Sequence, residues 1–190
     1  MRTFIAIELP KEIKDELTKL QDQLKLSNAD VKWVAPENIH LTIKFLGEIN
    51  EEKLCRISEV IENCAKDKSP YLIRINSLGV FPNMNSPRVI WVGLDKGNQE
   101  TEELAKSIEE NLEKLGIPKE KRPFSSHITI ARVRSMKNRE QLIEALKKLE
   151  NVFVGNNLEW NVKKVILFKS TLTPKGPTYE ALKETILTTT

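Results

Sequence analysis

The sequence contains two histidines, and both open the same tetrapeptide: His40-Leu41-Thr42-Ile43 and His127-Ile128-Thr129-Ile130. Imidazole titrates near pH 6.5, so around neutrality one ring of a pair can be neutral while the other carries a proton. Such a pair accepts a proton from an attacking water with one ring and donates one to a departing alcohol with the other. Threonine hydroxyls beside them hydrogen-bond the non-bridging oxygens of a phosphate and hold it in line. Side chains alternate along a strand. On that pattern His40 and Thr42 project to one side, with Leu41, Ile43 and Phe45 on the other; His127 and Thr129 likewise oppose Ile128 and Ile130. Each motif then buries an aliphatic set and offers an imidazole and a hydroxyl. Two such strands facing each other would enclose a phosphate cleft that needs no metal.

Other chemistries fit less well. A lone histidine on a strand is ordinarily structural, and it is the duplicated tetrapeptide that turns the reading towards catalysis. Metal ligation calls for a third ligand in clustered spacing. Cys55 and Cys64 have no CxxC spacing and no nearby histidine. Nine positions along one helix span about 13 Å, too far for a disulfide. No Gly-rich phosphate loop follows an early strand, so neither a metal nor a cofactor is expected.

Around the motifs lie weaker candidates for substrate contact. Arg132 follows His127 by five residues, where simple alternation places it on the opposite side unless a bulge or the strand's end re-aims it. Lys44 shares the parity of His40 and Thr42. Trp33, just before the first motif, and Phe81, at the head of the loop PNMNSP, are the first choices for stacking a base, ahead of Phe4 and Trp91; stacking is worth about 1–3 kcal/mol per base. Lys119, Lys121 and Arg122 could gather an RNA backbone or form an ordinary solvated charge run.

The elements that must position these residues read as follows. Thr3–Leu9 is a strand and Lys11–Leu26 an amphipathic helix opened by Pro10. Val31–Val34 is a short strand, and His40–Leu46 a strand closed by Gly47. Glu51–Lys66 is a second helix. Tyr71–Phe81 and Arg88–Leu94 are two strands joined by the loop PNMNSP, and a helix over Glu100–Leu115 stops at Gly116. His127–Val133, a helix at Arg139–Leu149, and strands at Val152–Val154, Asn161–Thr171 and Tyr179–Leu187 complete the chain. HLTIKFLG with its following turn and helix is echoed by HITIARVR with its own turn and helix. The repeat predicts an α+β fold in two lobes: mainly antiparallel sheets related by a pseudo-twofold, helices outside and a cleft between.

Composition sets the outer limits. With 190 residues, 39% of them hydrophobic, the chain suits one two-lobed domain over residues 1–190. A net charge of +3 does not mark a non-specific nucleic-acid binder, so positive charge for an anionic substrate must be gathered locally. No apolar run approaches the ~20 residues of a membrane span, and the opening run, broken by Glu8 and Pro10, is no signal peptide. A cytosolic monomer without membrane contact is expected.

HLTIKFLG and PFSSHITIAR resemble the twin His-x-Thr-x motifs of the two-histidine phosphoesterases. RTFIAIELP, VFPN with PRVIWVG, and VILFKSTLTPKGPTYEAL are similar, in the same order, to segments of the RNA 2′,3′-cyclic phosphodiesterases, historically called 2′-5′ RNA ligases. The resemblance spans nearly the full length. It implies opening of RNA 2′,3′-cyclic phosphate ends to 2′-phosphates, on tRNA halves or oligonucleotides, with reversible 2′-5′ joining in some members. By motif position it implies His40 as proton donor to the leaving 3′ oxygen and His127 as the acceptor that activates water. The residues themselves do not orient the pair. Alternatives are a non-catalytic RNA- or nucleotide-binding module on the same fold, or a phosphodiesterase of a small nucleotide.

Overall fold

An unbroken apolar run is buried on both faces only inside a sheet, and Arg2–Glu8 (β1) lies there, with Thr3 through Ile7 all buried. The computed structural model, which describes residues 1–189, is α+β with two antiparallel sheets and four helices. Lys11–Lys25 (α1) follows β1, then Val31–Trp33 (β2), a 3₁₀ turn at Pro36–Asn38 and His40–Glu48 (β3). Glu51–Ala65 (α2), Tyr71–Phe81 (β4), Val89–Lys96 (β5) and Asn98–Glu113 (α3) come next. His127–Val133 (β6), Arg139–Leu149 (α4), Glu159–Val162 (β7), Lys164–Thr173 (β8) and Gly176–Ile186 (β9) complete the order. One sheet runs β3-β1-β8-β9 and the other β2-β6-β5-β4-β7. The two motif strands, β3 and β6, come from different sheets and lie against each other.

Helix periodicity accounts for the layers. α1 buries Ile13, Leu17, Leu20 and Leu24 and packs on β6 and α4. α2 buries Ile57 and Ile61 against β8 and β9, while α3 packs on β3 and β5. The Asn50 side chain caps α2 by accepting from the Lys53 amide at 2.9 Å. Cys55 and Cys64 are both free thiols. Among the described residues no helix is long and apolar enough to cross a membrane.

The late chain departs from the sequence pattern in two places. Val152–Val154 is not a strand. Residues 151–155 form successive turns, with Val152, Val154 and Asn156 amides bonded three residues back and Gly155 at φ +81°. Its alternating apolar residues anchor a turn through buried Phe153. The stretch Asn161–Thr171 is two strands, broken at Lys163: β7 pairs with β4, and β8 pairs with β1 and β9. Alternation alone does not tell one strand from two that part into different sheets.

Candidate active site

Both histidines are fixed in the same way. His40 Nδ1 lies 2.6 Å from the Asn38 carbonyl and His127 Nδ1 2.8 Å from the Ser125 carbonyl, each two residues upstream. A carbonyl only accepts, so Nδ1 carries the hydrogen in both rings and Nε2 is the nitrogen left for chemistry. Each imidazole also has an aromatic backing. His40 meets Phe4 at 4.9 Å and Tyr179 edge-on at 5.4 Å. His127 meets Phe81 edge-on at 5.2 Å, and Trp91 stands behind both. Trp91 reaches this place because Gly79 and Gly93 leave room for its ring; a Cβ on Gly79 would run into the indole. Burial lowers the His40 pKa; the Asn38 carbonyl opposes this and the Lys14 charge adds to it.

His40, Thr42, His127 and Thr129 line one cleft of about 320 Å³, together with Phe45, Arg122, Phe124, Arg132 and Tyr179. Neither threonine hydroxyl bonds to another described residue. Simple alternation fails just beyond each motif, and it fails identically. In β3 the register with β1 passes from Ala6↔Thr42 to Ile5↔Lys44, leaving Ile43 as the extra residue of a bulge. In β6 the register with β5 passes from Trp91↔Thr129 to Ile90↔Ala131, leaving Ile130 as the extra residue. Each bulge turns the next residue inward and the one after it into the cleft.

Arg132 is re-aimed in this way onto the side of His127 and Thr129, where it is exposed and makes no ion pair with another described residue. Lys44 is turned the other way. It is 3% exposed, with Nζ donating to Glu109 Oε1 at 3.0 Å and to the Pro118 carbonyl at 3.1 Å, so its ammonium is committed inside the protein and not offered to a substrate. Partial burial pushes the Glu109 carboxyl up, but the Glu120 amide and Lys44 together more than offset this, and it ends below its ordinary value. Phe45, placed by alternation with the buried set, is 58% exposed in the cleft.

The bulge in β6 has its own support. Gln21, buried on α1, donates from Nε2 to the Ile130 and Val34 carbonyls at 2.9 Å each, and the Val34 amide donates to the same Ile130 carbonyl. Neither the Gln21 bridge nor the place of Tyr179 beside His40 follows from strand or helix periodicity. A glutamine at a core position of an amphipathic helix was the available signal for the first. Trp33 is not in the histidine cleft. It borders the neighbouring groove, with Lys25 Nζ 5.9 Å from its ring centre. Of the basic run before β6, Arg122 reaches the cleft, while Lys119 pairs with Glu113 at 3.0 Å.

Comparison with known proteins fits this duplicated geometry. The LigT like Phosphoesterase family model matches residues 7–91 and again 92–179, one copy around each histidine motif. An RNA 2′,3′-cyclic phosphodiesterase of Methanocaldococcus jannaschii is 42% identical, over 97% of this chain and 99% of that protein. One of Methanothermobacter thermautotrophicus is 39% identical, over 94% and 95%. A crystal structure of a Thermus thermophilus protein superposes with TM-score 0.81 at 30% identity, covering 98% of each chain. E. coli LigT complexed with 3′-AMP gives 0.79 at 25% identity, again covering 98% of each. Two copies of the pattern, each centred on a bulged motif strand, place this chain in the LigT-like phosphoesterase family.

Proposed function

We propose that this protein hydrolyses the 2′,3′-cyclic phosphate at an RNA end to a 2′-phosphate, using His40 and His127 as a metal-free acid–base pair. The observation that carries the reading is the matched tethering of the two rings. Each Nδ1–H is held by a carbonyl two residues upstream, and each Nε2 is left for a phosphate in the shared cleft. The curated relatives, named RNA 2′,3′-cyclic phosphodiesterases along nearly the whole length, support the substrate class.

In the proposed step a water oxygen attacks phosphorus while its proton passes to His127 Nε2. The P–O3′ bond breaks and His40 Nε2 delivers its proton to O3′, leaving a 2′-phosphate and a free 3′-hydroxyl. Thr42 and Thr129 hold the non-bridging oxygens, and Arg132 neutralises charge developing on them. Burial makes His40 less basic in the empty cleft than a free imidazole; an anionic phosphodiester beside the ring favours the imidazolium and readies it to donate. With the 5′-hydroxyl of a second RNA in place of water, the same proton transfers would open the cyclic phosphate at P–O3′ and join the ends 2′-5′. Both motifs come from one chain, so residues 1–190 act as one two-lobed catalytic unit and a monomer suffices.

The test is turnover of a cyclic-ended oligonucleotide with chelator present. His40→Ala and His127→Ala each lose about 10²–10⁴-fold in kcat while keeping the wild-type circular dichroism spectrum. Near wild-type turnover by either variant refutes the mechanism.

A further inference from the structure

We infer that the nucleotide on the 5′ side of the cyclic end lies in the groove between β2 and the β8–β9 turn, its phosphodiester held by Lys32 and Lys175. This rests on the cyclic phosphodiesterase reading and extends it to where the RNA goes next. A 2′,3′-cyclic phosphate occupies both hydroxyls of the terminal ribose, so the remaining chain leaves through its 5′ oxygen and brings a negative charge with each linkage.

Two grooves open off the catalytic cleft, and their charge separates them. The first, of about 250 Å³, runs past His40 and is lined by Glu8, Glu37 and Lys14. Lys14 Nζ rests on the Glu37 backbone carbonyl at 3.4 Å, and Glu8 shares Lys164 with Glu184, at 3.8 and 2.9 Å, so this groove offers a phosphodiester no surplus of positive charge. The second, of about 290 Å³, shares Val34, Asn38, Arg132 and Tyr179 with the cleft and adds Lys32 and Lys175 against the single carboxylate of Glu37. Lys32 and Lys175 are exposed and neither pairs with another described residue. Their positions are fixed by backbone. Lys32 lies on the edge strand, paired in register with Arg132. Lys175 sits in a turn closed by Thr173 Oγ1 donating to the Gly176 carbonyl at 2.6 Å, with Gly176 at φ +126°. Trp33 lines the same groove. An RNA strand whose terminal phosphate meets Arg132 in the cleft thus continues into a groove of the opposite charge, bordered by an aromatic ring that a base can lie against.

The experiment compares a 2′,3′-cyclic mononucleotide with a trinucleotide ending in the same cyclic phosphate, on wild type and on the Lys32→Ala/Lys175→Ala variant. Both positions are exposed, so the variant folds. The expected result is a wild-type kcat/KM at least tenfold higher for the trinucleotide. The variant loses that advantage through KM and shows a weaker salt dependence, while mononucleotide turnover is unchanged. Equal wild-type kcat/KM for the two substrates, or an equal loss on both in the variant, overturns the subsite and leaves the activity standing. Absence of turnover on both substrates in the wild type overturns the phosphodiesterase reading, and the subsite falls with it.

Discussion

Replacing Lys44 by methionine should destabilise the protein while leaving the chemistry intact. The Lys44 side chain is 2% exposed and that of Glu109 26%, with 3.0 Å between charges. Breaking a buried pair from one side leaves a charge without its partner and typically costs 3–5 kcal/mol; with Glu109 partly solvated and still accepting the Glu120 amide, we expect about 3 kcal/mol. In a chain of this size that lowers Tm by about 6–12 °C. The pH dependence has a definite sign. Glu109 titrates below its ordinary value in the wild type, so it contributes stability above the ordinary carboxylate range that is lost as pH falls through its folded pKa. Without Lys44 that contribution shrinks, and the deficit of the variant narrows in acid. Lys44→Met/Glu109→Met should recover much of the loss, since an apolar pair of similar volume replaces the ions. The assays are urea and thermal unfolding beside turnover of a cyclic mononucleotide. An unchanged Tm with tenfold lower kcat/KM would refute the reasoning and return Lys44 to the substrate.

The pKa of His40 is lowered by burial and by Lys14, against the Asn38 carbonyl. A proton NMR titration should therefore find its free-enzyme midpoint below about 6.5, moving up with inorganic phosphate; a midpoint above that value contradicts the assignment. The unfolded ring takes up its proton first, so this group makes stability fall as pH drops from about 6.5 towards the folded pKa. Lys14→Met should raise the midpoint and carry the alkaline limb of kcat/KM upward with it. Gly79→Ala forces the Trp91 indole off its seat beside Phe81 and His127, at about 1–3 kcal/mol in unfolding free energy and with lower kcat; unchanged tryptophan fluorescence and kinetics would show that the ring is not held there. Gln21→Leu strips a donor from the Val34 and Ile130 carbonyls, so about 1–3 kcal/mol is lost, measurable by urea unfolding.

What the sequence made legible was whatever depended on short-range periodicity. The α+β architecture, the β4–β5 hairpin and the four helices all follow from apolar spacing and turn residues. The placement of His40 with Thr42, and of His127 with Thr129, needs only the two-residue repeat of a strand. What was hidden lies just past those motifs. Nothing in HLTIKF or HITIAR announces a bulge at the fourth residue, because the residue it displaces inward is Lys44 in one copy and Ala131 in the other. Lysine is tolerated there only because Glu109, 65 positions later, arrives to meet it. That partner is tertiary, and so is Gln21, which crosses from α1 to the bulged carbonyl. Parity put Lys44 in the cleft and Phe45 in the core, and both were reversed by one extra residue.

The same bulge repeated in both halves explains why the cleft is polar in a directional sense although its motifs are duplicates. The residue two places past the bulge faces the cleft in each copy: Phe45 from β3 and Arg132 from β6. One lobe therefore presents an aromatic ring and the other a guanidinium at positions equivalent by the repeat. A symmetric pair of imidazoles cannot by itself tell the two ester oxygens of a cyclic phosphate apart. On the proposed function an asymmetric frame can: the arginine would draw the phosphate oxygens to its own side and the ring would leave the base the other. On this account the assignment of donor and acceptor follows from what flanks the histidines, more than from the histidines themselves.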